Sequence, residues 1–204
     1  MPGGEPSVRT TKSLLRQRLR AERKAAQVAG ADAGFRLLEH LPQELVAPPS
    51  PVGCVAGYVP VGSEIDPRPL LRWLATRGWR TAFPAASPGT DAGPMVFKEC
   101  PVDGPFVPGA WNVPEPPSTL PAVWPQMILV PLLGFDRTGG RLGQGQGHYD
   151  ACIQALRAHG PVVTVGLAYA VQEVGLLELE PHDQLLDWIV TEKAAYRATG
   201  RRAR

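Results

Sequence analysis

Val52-Gly-Cys-Val-Ala-Gly-Tyr-Val59, then Asp66-Pro-Arg-Pro-Leu-Leu-Arg-Trp-Leu-Ala-Thr-Arg-Gly78, then Trp79-Arg-Thr-Ala-Phe83 follow one another with a single short loop between them. The first stretch is apolar and carries β-branched residues, the pattern of a buried strand. The second opens on Asp66 as an N-cap, with Pro67 at the first helical position, and closes on Gly78. The third is a second strand, stopped by Pro84. Strand, helix and strand in this order form the repeating unit of a parallel sheet.

The pattern continues in both directions. Residues 127–133 read as another buried strand, 149–158 as a helix ending at His159–Gly160, and 161–168 and 188–191 as further strands. Residues 95–99 read as a short strand. Upstream, 11–28 read as a helix with Thr10 or Thr11 as N-cap and Gly30 past its end, and 32–41 as a second helix. The expected fold is therefore α/β: a single-domain, three-layer arrangement with a mainly parallel sheet of five or six strands flanked by helices. Residues 1–8 are expected to be a flexible tail, 9–196 the domain, and 197–204 a basic tail. Residues 84–126 are turn-rich, with eight prolines between Pro101 and Pro125. So long an irregular stretch in a compact domain points to function, and a lid over substrate is the expectation for 101–125.

The chain's 204 residues suit one domain. Its 22 Gly and 23 Pro exceed ordinary usage and should sit in loops and turns. The longest apolar run, Met127–Phe135, is broken by Pro131 and is too short for a membrane span. The polar start, Met1–Lys12, lacks an apolar signal core. Cys54, Cys100 and Cys152 are too scattered for a disulfide framework or a zinc site and read as reduced thiols, which suggests a cytoplasmic protein. Net charge is only +2, but residues 9–24 hold seven basic residues and one acid. On the helix, Arg9, Lys12, Arg16, Arg20 and Arg23 fall on one stripe, with Leu15, Leu19 and Ala26 beside it. Such a stripe suits an anionic partner: nucleic acid, phosphate, or the acidic remainder of the chain. A plain solvated face is the other reading of Arg9, Arg20 and Arg23.

The segment richest in chemistry is Pro131-Leu-Leu-Gly-Phe-Asp136-Arg-Thr-Gly-Gly-Arg141-Leu-Gly143-Gln-Gly145-Gln-Gly147-His148-Tyr149-Asp150. It leaves a buried strand, crosses a glycine-dense loop and enters a helix. Glycines let backbone N–H groups approach an anion, and a helix start adds free donors and the positive end of its dipole. Arg141 adds a planar fork suited to phosphate. The segment has no G-K-[ST] ending and no G-x-G-x-x-G spacing, which excludes a P-loop and a dinucleotide fingerprint. Asp150 is either a first-turn acid favoured by the dipole or a magnesium ligand beside a nucleotide phosphate. Asp183 is either the second such carboxylate or the cap of a turn before Trp188. His148 and His182 have no partners at metal-ligand spacing.

These residues resemble the 5-formyltetrahydrofolate cyclo-ligase family, whose pattern is R-L-G-x-G-x-G followed by an aromatic or His, then Y-D, after P-x-x-x-F-D. The resemblance extends to Lys12-Ser-Leu-Leu-Arg16, to Tyr58, Glu64 and Asp66, to Trp111-Asn-Val-Pro-Glu115-Pro, to 166–172, and to Pro181–Asp183 with Thr191–Glu192. It implies ATP- and Mg2+-dependent cyclisation of 5-formyltetrahydrofolate to 5,10-methenyltetrahydrofolate, with ADP and phosphate released through phosphorylation of the formyl oxygen. A non-catalytic relative that binds folate or nucleotide is the alternative.

Roles follow from the resemblance residue by residue. ATP is expected at Lys12, Arg16, Arg141, Leu142, Gly143, Gln144, Gly145, Gln146, Gly147, His148 and Tyr149, with Arg141 and Tyr149 catalytic. Folate is expected at Val59, Glu64, Trp111 and His148, and Mg2+ at Asp150 and Asp183. His148 stands where many members have Tyr or Phe, and Ala151 where many bacterial members have Arg. The expected partners are the formyl folate and ATP, with no nucleic acid and no membrane, acting on a monomer.

Overall fold

A computed structural model describes residues 8–50, 52–86, 95–109 and 113–200, with side chains from Lys12 onward. Helix α1 spans Val8–Ala29 and α2 spans Ala33–His40. Strand β1 (Cys54–Ala56), helix α3 (Arg68–Ala75) and strand β2 (Arg80–Ala85) form the expected unit, and β1 and β2 pair in parallel. Then come β3 (Val96–Glu99), β4 (Val107–Pro108), β5 (Pro114–Glu115), β6 (Ala122–Val123) and β7 (Met127–Pro131). A ribbon of β8 (Gly134–Phe135) and β9 (Arg141–Leu142) precedes α4 (His148–His159), β10 (Val163–Ala168), β11 (Trp188–Thr191) and β12 (Ala195–Arg197).

Among the described residues the main sheet has eight strands in the order β12-β11-β10-β7-β1-β2-β3-β6. Its five central strands run parallel, and β12, β3 and β6 add antiparallel edges. The order places β1 and β7 at the centre, where β1 crosses over to β2 on one side and β7 to β10 on the other. That reversal is where open α/β sheets bind ligands, beyond the carboxyl ends of the strands.

Alternating side chains build two cores. Val55, Phe83, Leu129 and Val165 face Leu37 of α2 and Leu70, Leu71 and Leu74 of α3. Cys54, Ala56, Ile128, Val130 and Ile189 face Cys152, Ile153 and Leu156 of α4. The period of two in the strands thus makes three layers, as the sequence predicts. Burial pushes the thiols of Cys54 and Cys152 up, to about 11 and about 12 respectively. Both therefore stay protonated core residues.

Several boundaries differ from expectation. The first helix starts at Val8, before Thr10 and Thr11, so neither is its N-cap. Its C-terminal end is as read: Gly30 N–H donates to Ala26 O at 2.9 Å. Strand β1 is three residues long, although Arg80 N–H to Gly53 O and Gly57 N–H to Ala82 O extend its hydrogen bonds at both ends. Strand β2 runs through Pro84, where a stop was expected. Cys100 N–H donates to Thr81 O, so Ala82–Glu99 and, by alternation, Pro84–Phe97 are non-hydrogen-bonded pairs. On the other side the ladder with β1 ends at Gly57 N–H to Ala82 O, one rung before Pro84 would have to donate, so the proline falls where that pairing stops. The Pro-rich stretch is not wholly irregular: β4 and β5 pair as a short ribbon and β6 joins the sheet edge. Arg197, read as the start of the basic tail, pairs with Trp188 in β12. Arg201, Arg202 and Arg204 lie outside the described residues.

Candidate functional site

The glycine loop is held from below by Asp136. After β7 the chain makes the β8–β9 ribbon, closed by Asp136 N–H to Gly140 O at 3.0 Å and Gly139 N–H to Asp136 O at 3.2 Å. The buried Asp136 carboxylate accepts from Thr138 N–H (2.8 Å), Thr138 Oγ1 (2.6 Å), Gly140 N–H (3.1 Å) and Leu177 N–H (2.9 Å). Burial alone would push this carboxyl up, but these donors together hold it below the ordinary carboxylate range. The ribbon returns the chain to the rim at Arg141. Residues 143–147 then form a turn with positive φ at Gly145 (102°) and Gly147 (71°). Gly147 is the N-cap of α4, so the helix's first N–H groups open toward this turn.

Helix α1 supplies the opposite wall. Arg16 Nε donates to Gly143 O at 2.9 Å, and Arg20 Nη2 donates to Gln144 Oε1 at 2.8 Å. Lys12 Nζ lies 3.1 Å from Glu180 Oε1 and 4.0 Å from Asp183 Oδ2. Arg16 and Arg20 of the basic stripe therefore face the glycine loop, and Lys12 faces Glu180 and Asp183 beside it; the side chain of Arg9 lies outside the described ones. The stripe is not a uniformly solvated face.

Arg141 is nearly buried. Its Nη2 pairs with Asp150 Oδ1 at 2.6 Å, and its Nη1 donates to Gln184 O at 2.5 Å. Asp150 Oδ1 also accepts from Gln184 N–H at 2.8 Å. The two residues that the resemblance assigns to phosphate and to magnesium are thus locked together. Asp183 closes its own turn by accepting from Glu180 N–H at 2.7 Å through Oδ2.

At the other end, Glu64 Oε2 accepts from Val61 N–H at 2.9 Å, and Tyr58 donates to Ile65 O at 2.7 Å. Burial pushes the Glu64 carboxyl up, partly offset by Val61 N–H and by Arg23. Burial, together with the neighbouring Glu64, pushes the Tyr149 phenol well up, so it keeps its proton.

Lys12, Arg16, Tyr58, Glu64, Arg141, the glycine loop, Tyr149, Asp150, Glu180 and Asp183 line one cleft of about 1030 Å³. It brings together the described residues given a site role in the sequence: Lys12, Arg16, Val59, Glu64, the run 141–150 and Asp183. Trp111 lies outside the described residues. Sequence reasoning missed Leu177 and Glu180 as lining residues and quoted Tyr58 within a motif without a role. Glu115 sat inside a quoted motif without a role; its Oε2 accepts from Ala86 N–H at 3.0 Å and ties the β4–β5 ribbon to the end of β2.

Among the described residues, no three His, Cys, Asp or Glu cluster to hold a metal. The donor set that Asp150 and Asp183 offer is two carboxylates on one cleft. That fits magnesium, which takes few protein oxygens and fills its shell with water and phosphate. No helix among the described residues is long and apolar enough to cross a membrane.

Fold and site together define an α/β protein with a glycine-rich, cation-walled cleft beyond the carboxyl ends of a mainly parallel sheet. The chain belongs to the 5-formyltetrahydrofolate cyclo-ligase family, whose model matches residues 8–192. It is 30% identical over 183 residues to the 5-formyltetrahydrofolate cyclo-ligase of Escherichia coli K12, covering 87% of this chain and 96% of that one. It is 34% identical over 151 residues to that of Mycolicibacterium smegmatis, covering 68% and 73%. The solved 5,10-methenyltetrahydrofolate synthetase of Aquifex aeolicus superposes with a TM-score of 0.70 at 27% identity, over 95% of each chain. The chain is an enzyme of this family, a ligase of folate metabolism.

Proposed function

We propose that the chain converts 5-formyltetrahydrofolate and ATP to 5,10-methenyltetrahydrofolate, ADP and phosphate. The observation that supports this is a cleft with two chemically different ends: cations and backbone donors at 12–16 and 141–148, and an apolar wall with a half-buried acid at Val59 and Glu64.

The chemistry explains why both ends are needed. A formyl oxygen is a poor leaving group. It attacks the γ-phosphorus, the bond from that phosphorus to ADP breaks, and an iminium phosphate results. Nitrogen 10 then attacks the same carbon and loses its proton. The C–O bond breaks, and phosphate carries away the former formyl oxygen.

The residues divide this work. Lys12 and Arg16, with the N–H groups of 142–148, hold the triphosphate. Lys12 exchanges Glu180 for phosphate oxygens. Arg141, oriented by Asp150 and Gln184, neutralises charge that develops during transfer. Tyr149 keeps its proton and donates toward the formyl oxygen. Glu64 accepts N–H groups of the pterin against Val59, and the flat faces of His148 and Trp111 pack on the folate. Mg2+, held by Asp150 and Asp183 with phosphate oxygens, supplies further charge neutralisation when bound.

The test is the purified protein with the formyl folate and Mg2+, with and without ATP. One ADP should appear for each methenyl product, and only when folate is present. ATP consumption indifferent to folate would overturn the reading, and tight folate binding without ATP consumption would favour the non-catalytic alternative.

Gly145→Ala probes the loop separately. The residue's φ of 102° strains any side chain by about 1–3 kcal/mol. A Cβ there would also stand 3.3 Å from Arg16 Nη2. The expected result is an ATP KM raised about tenfold, the equivalent of 1.4 kcal/mol, with the folate KM nearly unchanged, read from initial rates.

A further inference from the structure

Arg23 belongs to the basic stripe, yet it does not face the glycine loop. It lies one helical turn past the fully buried Leu19 and is only 5% exposed. Its Nε donates to Ser63 Oγ at 3.0 Å, its Nη1 donates to Leu132 O at 3.3 Å, and Nη1 lies 3.7 Å from Glu64 Oε1. Gln27, the next turn along, donates to Gly62 O at 3.1 Å. One guanidinium thus ties the helix that carries Lys12 and Arg16 to two other parts of the cleft wall: the loop that carries Glu64, and Leu132 just past the end of β7.

A buried guanidinium is costly unless it is paired and hydrogen-bonded. Each contact of Arg23 answers that requirement, and each falls beside a substrate-facing group. Ser63 precedes Glu64, and Leu132 lies between β7 and the ribbon that leads to Arg141. The other groups around Glu64 supply no cation: Tyr58 and Tyr149 are neutral phenols, and Val61 contributes an N–H. Burial pushes the Glu64 carboxyl up, and Arg23 opposes that push.

We infer that Arg23 is a positioning residue for the folate end of the cleft, holding the 61–65 loop and the Glu64 carboxylate in place from α1 without touching substrate. This rests on the proposed folate role of Glu64. Arg16 and Lys12, two and three turns earlier on the same helix, serve the nucleotide end, so the two functions separate along α1.

The test compares Arg23→Met, Arg23→Lys, Glu64→Gln and the double variant Arg23→Met with Glu64→Gln. Thermal melts identify folded protein. Equilibrium binding of 5-formyltetrahydrofolate without ATP supplies a readout independent of turnover. Arg23→Met should weaken folate binding and raise its KM at least tenfold, with the ATP KM within twofold of wild type. Arg23→Lys, which keeps the charge, should recover most of the loss and covers the case in which Arg23→Met does not fold. In the Glu64→Gln background, Arg23→Met should add less than threefold. Equal losses for ATP and folate, or multiplicative losses in the double variant, would overturn the positioning role. Failure of the wild type itself to bind or convert the formyl folate would instead remove the functional reading beneath it.

Discussion

Asp150→Asn is expected to lower kcat by about 100- to 1000-fold, the range for removing one preorganised charge from a reacting site, while the protein stays folded. Asp150 has two tasks on one carboxylate. Its Oδ1 fixes the nearly buried Arg141 at 2.6 Å and accepts Gln184 N–H at 2.8 Å, and the group is also one of the two carboxylates proposed for magnesium. Asparagine keeps an acceptor for Arg141 and Gln184 but loses the charge. Asp150→Ala removes both. Breaking a buried pair from one side costs about 3–5 kcal/mol, because the partner's charge is left uncompensated. The alanine variant should therefore lose stability as well as turnover, and only the asparagine variant separates the two. Single-turnover ADP release, with a melt of each variant, reads both effects. A magnesium titration of the asparagine variant should show a raised requirement for the ion. Full activity in Asp150→Asn would remove Asp150 from the chemistry.

The sequence made the central layers legible because they rest on local rules. Apolar runs bounded by Gly and Pro mark β1, β2, β7, β10 and β11 in order, and Gly30 and Gly160 mark the C-terminal ends of α1 and α4. The edges were less legible. Strands β4, β5, β6, β8 and β9 are two residues each and β12 three, below the length at which alternation can be distinguished from loop. Pro84 stops only the pairing with β1, while the pairing of β2 with β3 continues past it to Ala85.

The cleft was legible where residues sit together in sequence, as in 141–150. It was legible from the resemblance where they do not, as at Lys12, Glu64 and Asp183. What sequence could not supply was pairing. Nothing in the spacing shows that Arg141 grips Asp150, that Lys12 rests on Glu180, or that Arg23 turns inward while Arg20 stays at the surface. Those choices follow from where α1 lies against the β8–β9 ribbon, and that placement depends on Leu19 meeting Leu142 and Leu177, contacts more than one hundred residues apart in the chain.

Asp136 carries the second large effect, on stability. Three of its donors, Thr138 N–H, Thr138 Oγ1 and Gly140 N–H, converge on Oδ1, and the fourth, Leu177 N–H, points at Oδ2. An asparagine can turn its carbonyl to the first three, but its NH2 then faces another donor at Leu177. Asp136→Asn should cost about 3 kcal/mol, since a buried donor loses its acceptor and the charge-assisted bonds weaken. Asp136→Ala should cost more. The sign of the pH dependence follows from the direction of the shift. A carboxyl held below its ordinary value stabilises the fold fully above its unfolded value of about 3.9, and that contribution is lost as pH falls through the folded value. The advantage of wild type over Asp136→Asn should therefore be constant from neutral pH down to about pH 5 and shrink steadily below that. Urea melts of the two proteins across this range measure the difference directly, and carboxylates common to both cancel. A constant gap to well below about pH 4 would mean that this carboxyl ionises alike in the folded and unfolded chains, and a gap that widens as pH falls would mean that Asp136 is protonated in the fold. The turn at 137–140 would then be held by Thr138 and Gly140 without a charge beneath it.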